Sequence, residues 1–267
     1  MTGRRFRDAM LLPMSAIVLL IVWELLVDLL HVPNYVVPAP SSVAVAAWRM
    51  TQSGLLLDNA VVTLVETLAG FAAAFVLAAV LAILISEFHF CERLIYPYIV
   101  ALQSMPKVAV GPLIVIWFGF GLSSKIALSA LLAMFPMLVN FVQGLRAAEP
   151  GRLKLLRALD ASRWQVLWLV RIPYALPFFL AGLELGAIYA MLGAIVGEFL
   201  GSSSGLGNWL LAMNMNLDIS GSFALLVLLA LYGIALQRLV GMLRRRVLFW
   251  AQQDVQRSAP AETGGTT

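Results

Sequence analysis

Apolar residues in this chain come in long, nearly unbroken runs, and a helix of about 20 such residues is what crosses the roughly 30 Å of hydrocarbon in a bilayer. Six segments have that character. Three carry no charge: 67–86 and 126–145 over 20 residues each, and 219–237 over 19. The other three are interrupted. Segment 10–30 holds Glu24 and Asp28 in its second half, 94–124 holds Lys107 between Pro106 and Pro112, and 172–197 holds Glu184 near its middle. The pattern predicts an all-α polytopic membrane fold with about six transmembrane helices. Residues 1–9 form a basic N-terminal stretch, 10–246 the transmembrane unit and 247–267 a tail. The end of that tail, 258–267, is too rich in small polar residues to order itself.

Composition agrees: 61% of the 267 residues are hydrophobic and 12% charged, against about 25% charged in an ordinary soluble domain. The formal net charge of +4 alone would suit a nucleic-acid partner, but its placement points to a membrane instead. Fifteen of the 18 Lys and Arg residues lie before the first span, between the second and third, between the fourth and fifth, or after the sixth. The alternate connections hold only Arg49 and Lys125, so the positive-inside rule puts both termini and the fourth-to-fifth loop in the cytoplasm. Segment 10–30 is longer than a signal-peptide core and lacks a small-residue cleavage pattern after it, which reads as a retained helix. One cysteine, Cys91, and two separated histidines, His31 and His89, supply neither a disulfide framework nor the ligand spacing of a metal centre.

The loop 146–171 is too long for a simple connection and carries its own periodicity. Leu153, Leu155, Leu156 and Leu159 gather on one side of a short helix, with Lys154 and Arg157 opposite. That helix should end near Asp160 and Ala161, because Ser162 with Gln165 three residues on matches a capping box that starts a second helix at Arg163. Pro173 and Pro177 are expected to close the second helix and open the fifth span. Two readings fit the local pattern. One is an interfacial hairpin with its arginines near lipid phosphates and Trp164 and Trp168 at headgroup depth, and the other is a docking surface for a cytoplasmic protein.

Several separated stretches carry a family resemblance. They are LQSMPKVAVGPLIVIWFGFG at 102–121 with SKI at 124–126, RALDASRWQ at 157–165, IPYALP at 172–177, GEFLG at 197–201 with GLG at 205–207, and VPAPSS at 37–42. The chain resembles, over about residues 23–246, the permease subunits of ATP-binding-cassette importers of the nitrate, sulfonate and taurine branch. The resemblance implies a homodimer in the bacterial inner membrane, a pair of cytoplasmic ATPase subunits and an extracytoplasmic solute-binding protein. The solute would be a sulfonate, nitrate, taurine or a related small organic or anionic compound. ATP and Mg would be used by the partner ATPase, leaving this chain a transport subunit with no bound cofactor. The absence of a Walker A sequence agrees with that division of labour. The loop becomes the coupling segment, with Arg152, Leu153, Leu156, Arg157, Asp160, Ala161, Ser162 and Arg163 at the ATPase. Its sequence departs from the family pattern of Glu-Ala-Ala, three residues, then Gly, for Lys154, Leu155, Leu156 and Asp160 stand there instead. Asp tolerates the positive φ that glycine serves better than most residues do, whereas Lys154 reverses a charge at the interface.

Candidate pathway residues are Gln103, Ser104, Lys107, Glu184 and Glu198. Lys107 is an intramembrane cation beside helix-breaking prolines, which points either to a packing or gating role or to a pairing with Glu184 or Glu66. Glu184 needs a partner or a wet surface. Glu198 precedes a Gly- and Ser-rich stretch, 201–207, that reads either as a re-entrant mouth or as a flexible loop. A membrane enzyme lacks support, with no HExxH motif and no Ser-Lys or Ser-His pair assignable by spacing. A secondary transporter or channel that works without an ATPase is the alternative, opposed by the long basic loop and the missing internal repeat.

Overall fold

A computed structural model describes residues 2–247, apart from the side chains of residues 2–10, 12, 13, 100 and 157. The expected tail end at 258–267, and Arg257 with it, lie outside the described residues. The elements are α1 (Thr2–Leu29), α2 (Pro40–Gln52), α3 (Leu55–Glu87), α4 (His89–Ser104), a 3₁₀ turn (Lys107–Val110), α5 (Gly111–Phe118), α6 (Leu122–Arg146), α7 (Pro150–Ala158), α8 (Arg163–Val166), a π segment (Leu167–Arg171), α9 (Ile172–Phe199), α10 (Leu206–Met215) and α11 (Ile219–Val247). Among the described residues every regular element is helical.

Helix α6 is the centre of the bundle, sandwiched between α3 and α9. Close approach is possible because the facing stripes are small. Ala74, Ala78 and Ala82 of α3 are fully buried at four-residue spacing, and Gly70 continues the stripe to a point where any Cβ would overlap Ser129 of α6. From the other side, a Cβ on Gly193 of α9 would stand 2.5 Å from Ser129 Cα. Ser129 Oγ donates to the Ala190 carbonyl at 2.8 Å, which satisfies this buried hydroxyl. Larger side chains then fill the half of the bundle nearer α7, where Phe141 meets Phe75 edge-on at 6.0 Å and Phe179 at 4.5 Å.

Among the described residues, four continuous helices, α3, α6, the rod Arg163–Phe199 and α11, are long and apolar enough to cross a membrane, and the α4–α5 pair makes a fifth if counted as one span. The first expected segment falls in α1, where only 15 residues separate Asp8 from Glu24. Much of the apolar surface points outward. On α3 only 28% of the most apolar window is buried, as expected where lipid is the outer solvent.

Two expectations are corrected. Segment 94–124 is not one helix: α4 and α5 meet at 95°, because Met105 and Pro106 leave the helical region and Pro106 and Pro112 each lack the N–H that a continuous helix needs. The second loop helix is not closed at Pro173 either. α8 passes through the π segment, in which the Ile172 N–H reaches the Leu167 carbonyl, straight into α9. A proline in the first turn of α9 has no N–H to lose there, so the wider turn absorbs it.

The start of α8 is as the spacing predicts. Ser162 Oγ accepts from the Gln165 N–H at 3.3 Å, and Gln165 Oε1 accepts from the Ser162 N–H at 2.7 Å. Changing Ser162 to alanine should cost about 1 kcal/mol locally, read as faster amide exchange at 163–166. Unaltered exchange would mean that packing alone holds this turn.

Candidate functional site

The loop 146–171 folds as two short helices, α7 and α8, joined by a tight turn. α7 ends with Asp160 at φ +54°, and the Ala161 N–H bonds back to the Leu156 carbonyl at 3.0 Å, the 6→1 bond of a Schellman turn. Asp160 therefore occupies the left-handed position foreseen for it. On α7 Leu153 and Leu156 are half-buried, whereas Leu155 and Leu159, four residues apart, are 61% and 69% exposed. The apolar stripe thus divides, one pair turned inward and one outward. Arg152 pairs with Glu149 at 3.2 Å and stacks over Tyr174 of α9 at 5.1 Å, tying α7 to the span it precedes. Lys154 and Arg163 are exposed and Ala161 half-buried, while the Arg157 side chain lies outside the described residues.

At the opposite end of the bundle lies a buried polar cluster. Asn59, Thr63 and Glu66 occupy one face of α3, and α6 supplies Lys125 and α9 supplies Glu198. Lys125 Nζ pairs with Glu66 Oε1 at 2.9 Å and donates to Ser202 Oγ at 2.5 Å. Thr63 Oγ1 donates to Glu198 Oε1 at 2.6 Å and accepts from the Leu206 N–H at 2.9 Å. The Gly207 N–H donates to Glu198 Oε2, and the Gly205 N–H donates to Asn59 Oδ1 at 2.7 Å. Glu66 and Glu198 are 1% and 0% exposed.

The Glu198 carboxyl thus accepts at the N-terminus of α10, where the first amides lack helical partners. Its fit dictates the glycines. A Cβ on Gly205 would overlap Glu198 Oε1, and one on Gly207 would lie 2.7 Å from Oε2. Segment 201–207 is consequently a latched turn leading into a packed helix, since Leu206, Gly207 and Leu210 are buried. The flexible-loop reading of this stretch is set aside. Lys125, read from sequence as part of a polar connection, is instead a buried member of α6. Polar residues spaced 59, 63, 66 on one face of α3 were the available signal for Asn59, Thr63 and Glu66. Lys125 and the outer glycines gave none that sequence alone resolves.

Glu24 plays the same part for α2. Its carboxylate accepts from the Ser41 N–H at 3.0 Å and from Ser41 Oγ at 2.6 Å, serving the N-terminus of a helix whose own preceding residue, Ala39, has no capping side chain. Both short helices, α2 and α10, pack on α11 and share one apolar cluster that includes Ala46, Met50, Leu206 and Leu210.

The remaining candidates are spread along the bundle. Lys107 sits at the α4–α5 elbow with Nζ 5.0 Å from the Phe135 ring centroid, and pairs with neither expected acid, since Glu66 is held by Lys125 and Glu184 by Arg244 at 3.1 Å. Gln103 is half-buried and Ser104 exposed at the end of α4, next to the same elbow. Glu184 and Arg244 lie toward the α7 end, so the structure brings Gln103, Ser104 and Lys107 together and keeps Glu184 and Glu198 apart from them.

Residues 74–249 match the family described as binding-protein-dependent transport system inner membrane component. The chain is 35% identical over 239 residues, 90% of its length and 89% of the relative's, to the riboflavin transport system permease protein RibX of Chloroflexus aurantiacus. It is 32% identical over 238 residues, 89% and 94% of the two chains, to the formylaminopyrimidine transport permease protein ThiX of Halalkalibacterium halodurans. Its fold superposes with a TM-score of 0.64 on a chain of the inward-facing MetNI methionine ABC transporter, at 20% identity, covering 72% of this chain and 96% of that one. With an ABC permease family established, the transporter or channel that works without an ATPase drops out. The chain belongs to the binding-protein-dependent inner-membrane permeases and is a multi-pass transport subunit of an ABC importer, not an enzyme.

Proposed function

We propose that this chain, as a homodimer, forms the pathway for a small organic solute, with α7 and both termini in the cytoplasm, and that α7 transmits the closure of the ATPase pair to α9. The observation that carries this reading is the unbroken mechanical connection from α7 into a spanning helix. The Schellman turn, the capping box and the π segment leave no slack between Leu156 and Ile172, and α9 is packed against α6 along its length. A push on α7 therefore moves a span rather than bending a loop.

Leu155 and Leu159 form the apolar face offered to an ATPase groove, with Arg152, Leu153, Leu156, Arg157, Asp160, Ala161, Ser162 and Arg163 fixing its angle. ATP and Mg act in the partner. The distribution of 15 basic residues on one side supports the orientation. Non-helical backbone at membrane depth is tolerated only where protein or a wet cavity covers it, and the exposed Met105 and Pro106 make such a break. A second copy of the chain covers that elbow, so that Gln103, Ser104 and Lys107 border the pathway between the copies.

For the solute, the relatives at 35% and 32% identity are named for nitrogen heterocycles, which favours that class. The sulfonate, nitrate or taurine class stands second, on the cation of Lys107 at the elbow. Selection between them belongs to the binding protein, so screening the cognate binding protein against both classes decides.

Changing Leu155 and Leu159 together to aspartate should abolish stimulation of the partner ATPase by solute-loaded binding protein, while the thermal melt of the permease stays within a degree or so, because both side chains are already exposed. Full stimulation by the double variant would refute the assignment of α7. Recovery of the wild-type chain from its native membrane without an ATPase would refute the assembly.

A further inference from the structure

Among the described residues the buried side chains of charged type are Glu66, Lys125 and Glu198, and all belong to the polar cluster where α3, α6 and α9 meet. Two acids stand there against one base. Lys125 directs its ammonium to Glu66 Oε1 at 2.9 Å and to Ser202 Oγ. The Glu198 carboxyl is instead met by the Thr63 hydroxyl and the Gly207 amide, neither of which carries charge. A carboxylate shut away from water with no counter-charge is costly enough that such a group takes up a proton instead.

Hydrogen bonding points the same way. The carboxyls of Glu66 and Glu198 lie within hydrogen-bonding reach of each other. Ionised carboxylates only accept, so that contact repels unless one of its oxygens carries a hydrogen. Glu66 Oε2, the oxygen that Lys125 does not hold, is buried and has no partner, so it is short of a donor. The groups that face the pair do not supply one. From α3 the Thr63 hydroxyl goes to Glu198, and from the turn after α9 the Ser202 hydroxyl goes to the Ser204 carbonyl. The Gly205, Leu206 and Gly207 amides go to Asn59, Thr63 and Glu198. The hydroxyls of Thr67 on α3 and Tyr232 on α11 are buried without reaching it.

We infer that Glu66 and Glu198 hold one proton between them, carried on Glu198 and donated to Glu66 Oε2. The cluster is then neutral overall, made of one carboxylate, one ammonium and one carboxylic acid. The proton draws α9 to α3 at the point where Glu198 also receives the Gly207 amide, so it is part of what fixes α10 to the bundle. The inference rests on the packing of α3, α6 and α9 and not on the coupling role of α7.

The test is infrared spectroscopy of the full chain at neutral pH in an ester-free detergent, with the wild type compared with Glu198→Gln and Lys125→Met. A protonated carboxyl has a C=O stretch above the amide band, where ionised carboxylates do not absorb, and the exposed acids are ionised at this pH. The wild type should show this band. Glu198→Gln should lack it yet melt within a degree or so of the wild type, because the glutamine amide keeps both an acceptor for Gly207 and a donor for Glu66. In Lys125→Met the band should grow about twofold, since Glu66 loses its counter-charge and takes up a proton of its own. A wild type without the band means that both acids are ionised and overturns the shared proton. A band that survives Glu198→Gln places the proton on another group and overturns it equally. A Lys125→Met band no larger than that of the wild type overturns the assignment of Glu66 as the ionised partner. The wild-type spectrum alone can refute the inference, so a variant that fails to fold does not shield it.

Discussion

Lys125→Met is expected to lower the stability of the detergent-purified permease by about 3–5 kcal/mol, the cost of removing one partner from a buried ion pair. The side chains of Lys125 and Glu66 are 9% and 1% exposed and 2.9 Å apart. Glu198, fully buried, is near enough to Glu66 for their charges to interact. Without the ammonium, the buried Glu66 carboxyl is left without its counter-charge, and Ser202 loses the donor that anchors 201–207. The loss should be smaller when both members go together. Glu66→Gln with Lys125→Met leaves Glu198 alone with the α10 amides, an arrangement that stands without the pair. Thermal melts of the two single variants and the double decide this, and a Lys125→Met protein that melts with the wild type would remove the pair from the account of stability.

Gly205→Ala should cost about 3 kcal/mol, near the upper end for a strained backbone position. Gly205 has φ +105° and ψ 161°, a region that essentially only glycine occupies, and the added methyl would overlap the Glu198 carboxylate. Either the turn or Glu198 must give, and the bonds from Thr63 and Gly207 to that carboxylate go with it. Gly54→Ala is the control. Gly54 also has positive φ, +74°, yet a Cβ there meets nothing within 4 Å, so only the conformational cost of about 1 kcal/mol applies. The difference between the two variants isolates the latch. Faster amide exchange at 205–210 should accompany the Gly205 change alone, and equal costs at the two glycines would mean that Glu198 does not hold α10.

These variants bear on how acids are tolerated in a chain this apolar. Glu24, Glu66, Glu184 and Glu198 all lie in long apolar helices, and each has a defined partner: Ser41, Lys125, Arg244, and the Thr63 hydroxyl with the Gly207 amide. Two of the four serve the N-termini of short helices that do not span. Intramembrane charge here is largely structural, and the elbow at Lys107 is the exception, a cation resting on an aromatic ring where the backbone itself is broken. That contrast supports the proposal that the elbow, rather than Glu184 or Glu198, borders the pathway.

What the sequence determined by itself was whatever depends on neighbours along the chain. Apolar runs of spanning length marked α3, α6, α9 and α11, and the Ser162–Gln165 spacing located the start of α8 to the residue. The left-handed turn at Asp160 was legible from the family resemblance, whose pattern has a glycine where this chain has Asp160. Tertiary structure alone decided what depends on neighbours in space. A lysine three residues into α6 reads as a loop cation until Glu66 from α3 and Ser202 from beyond α9 surround it. Pro173 reads as a helix end until a π turn carries the chain past it. Pro106 reads as a kink within a span until the 95° break turns α4 away from α5. In a bilayer this division is sharp, since hydrophobicity alone selects which segments span, while the acids among them, Glu66, Glu184 and Glu198, take their partners from other helices.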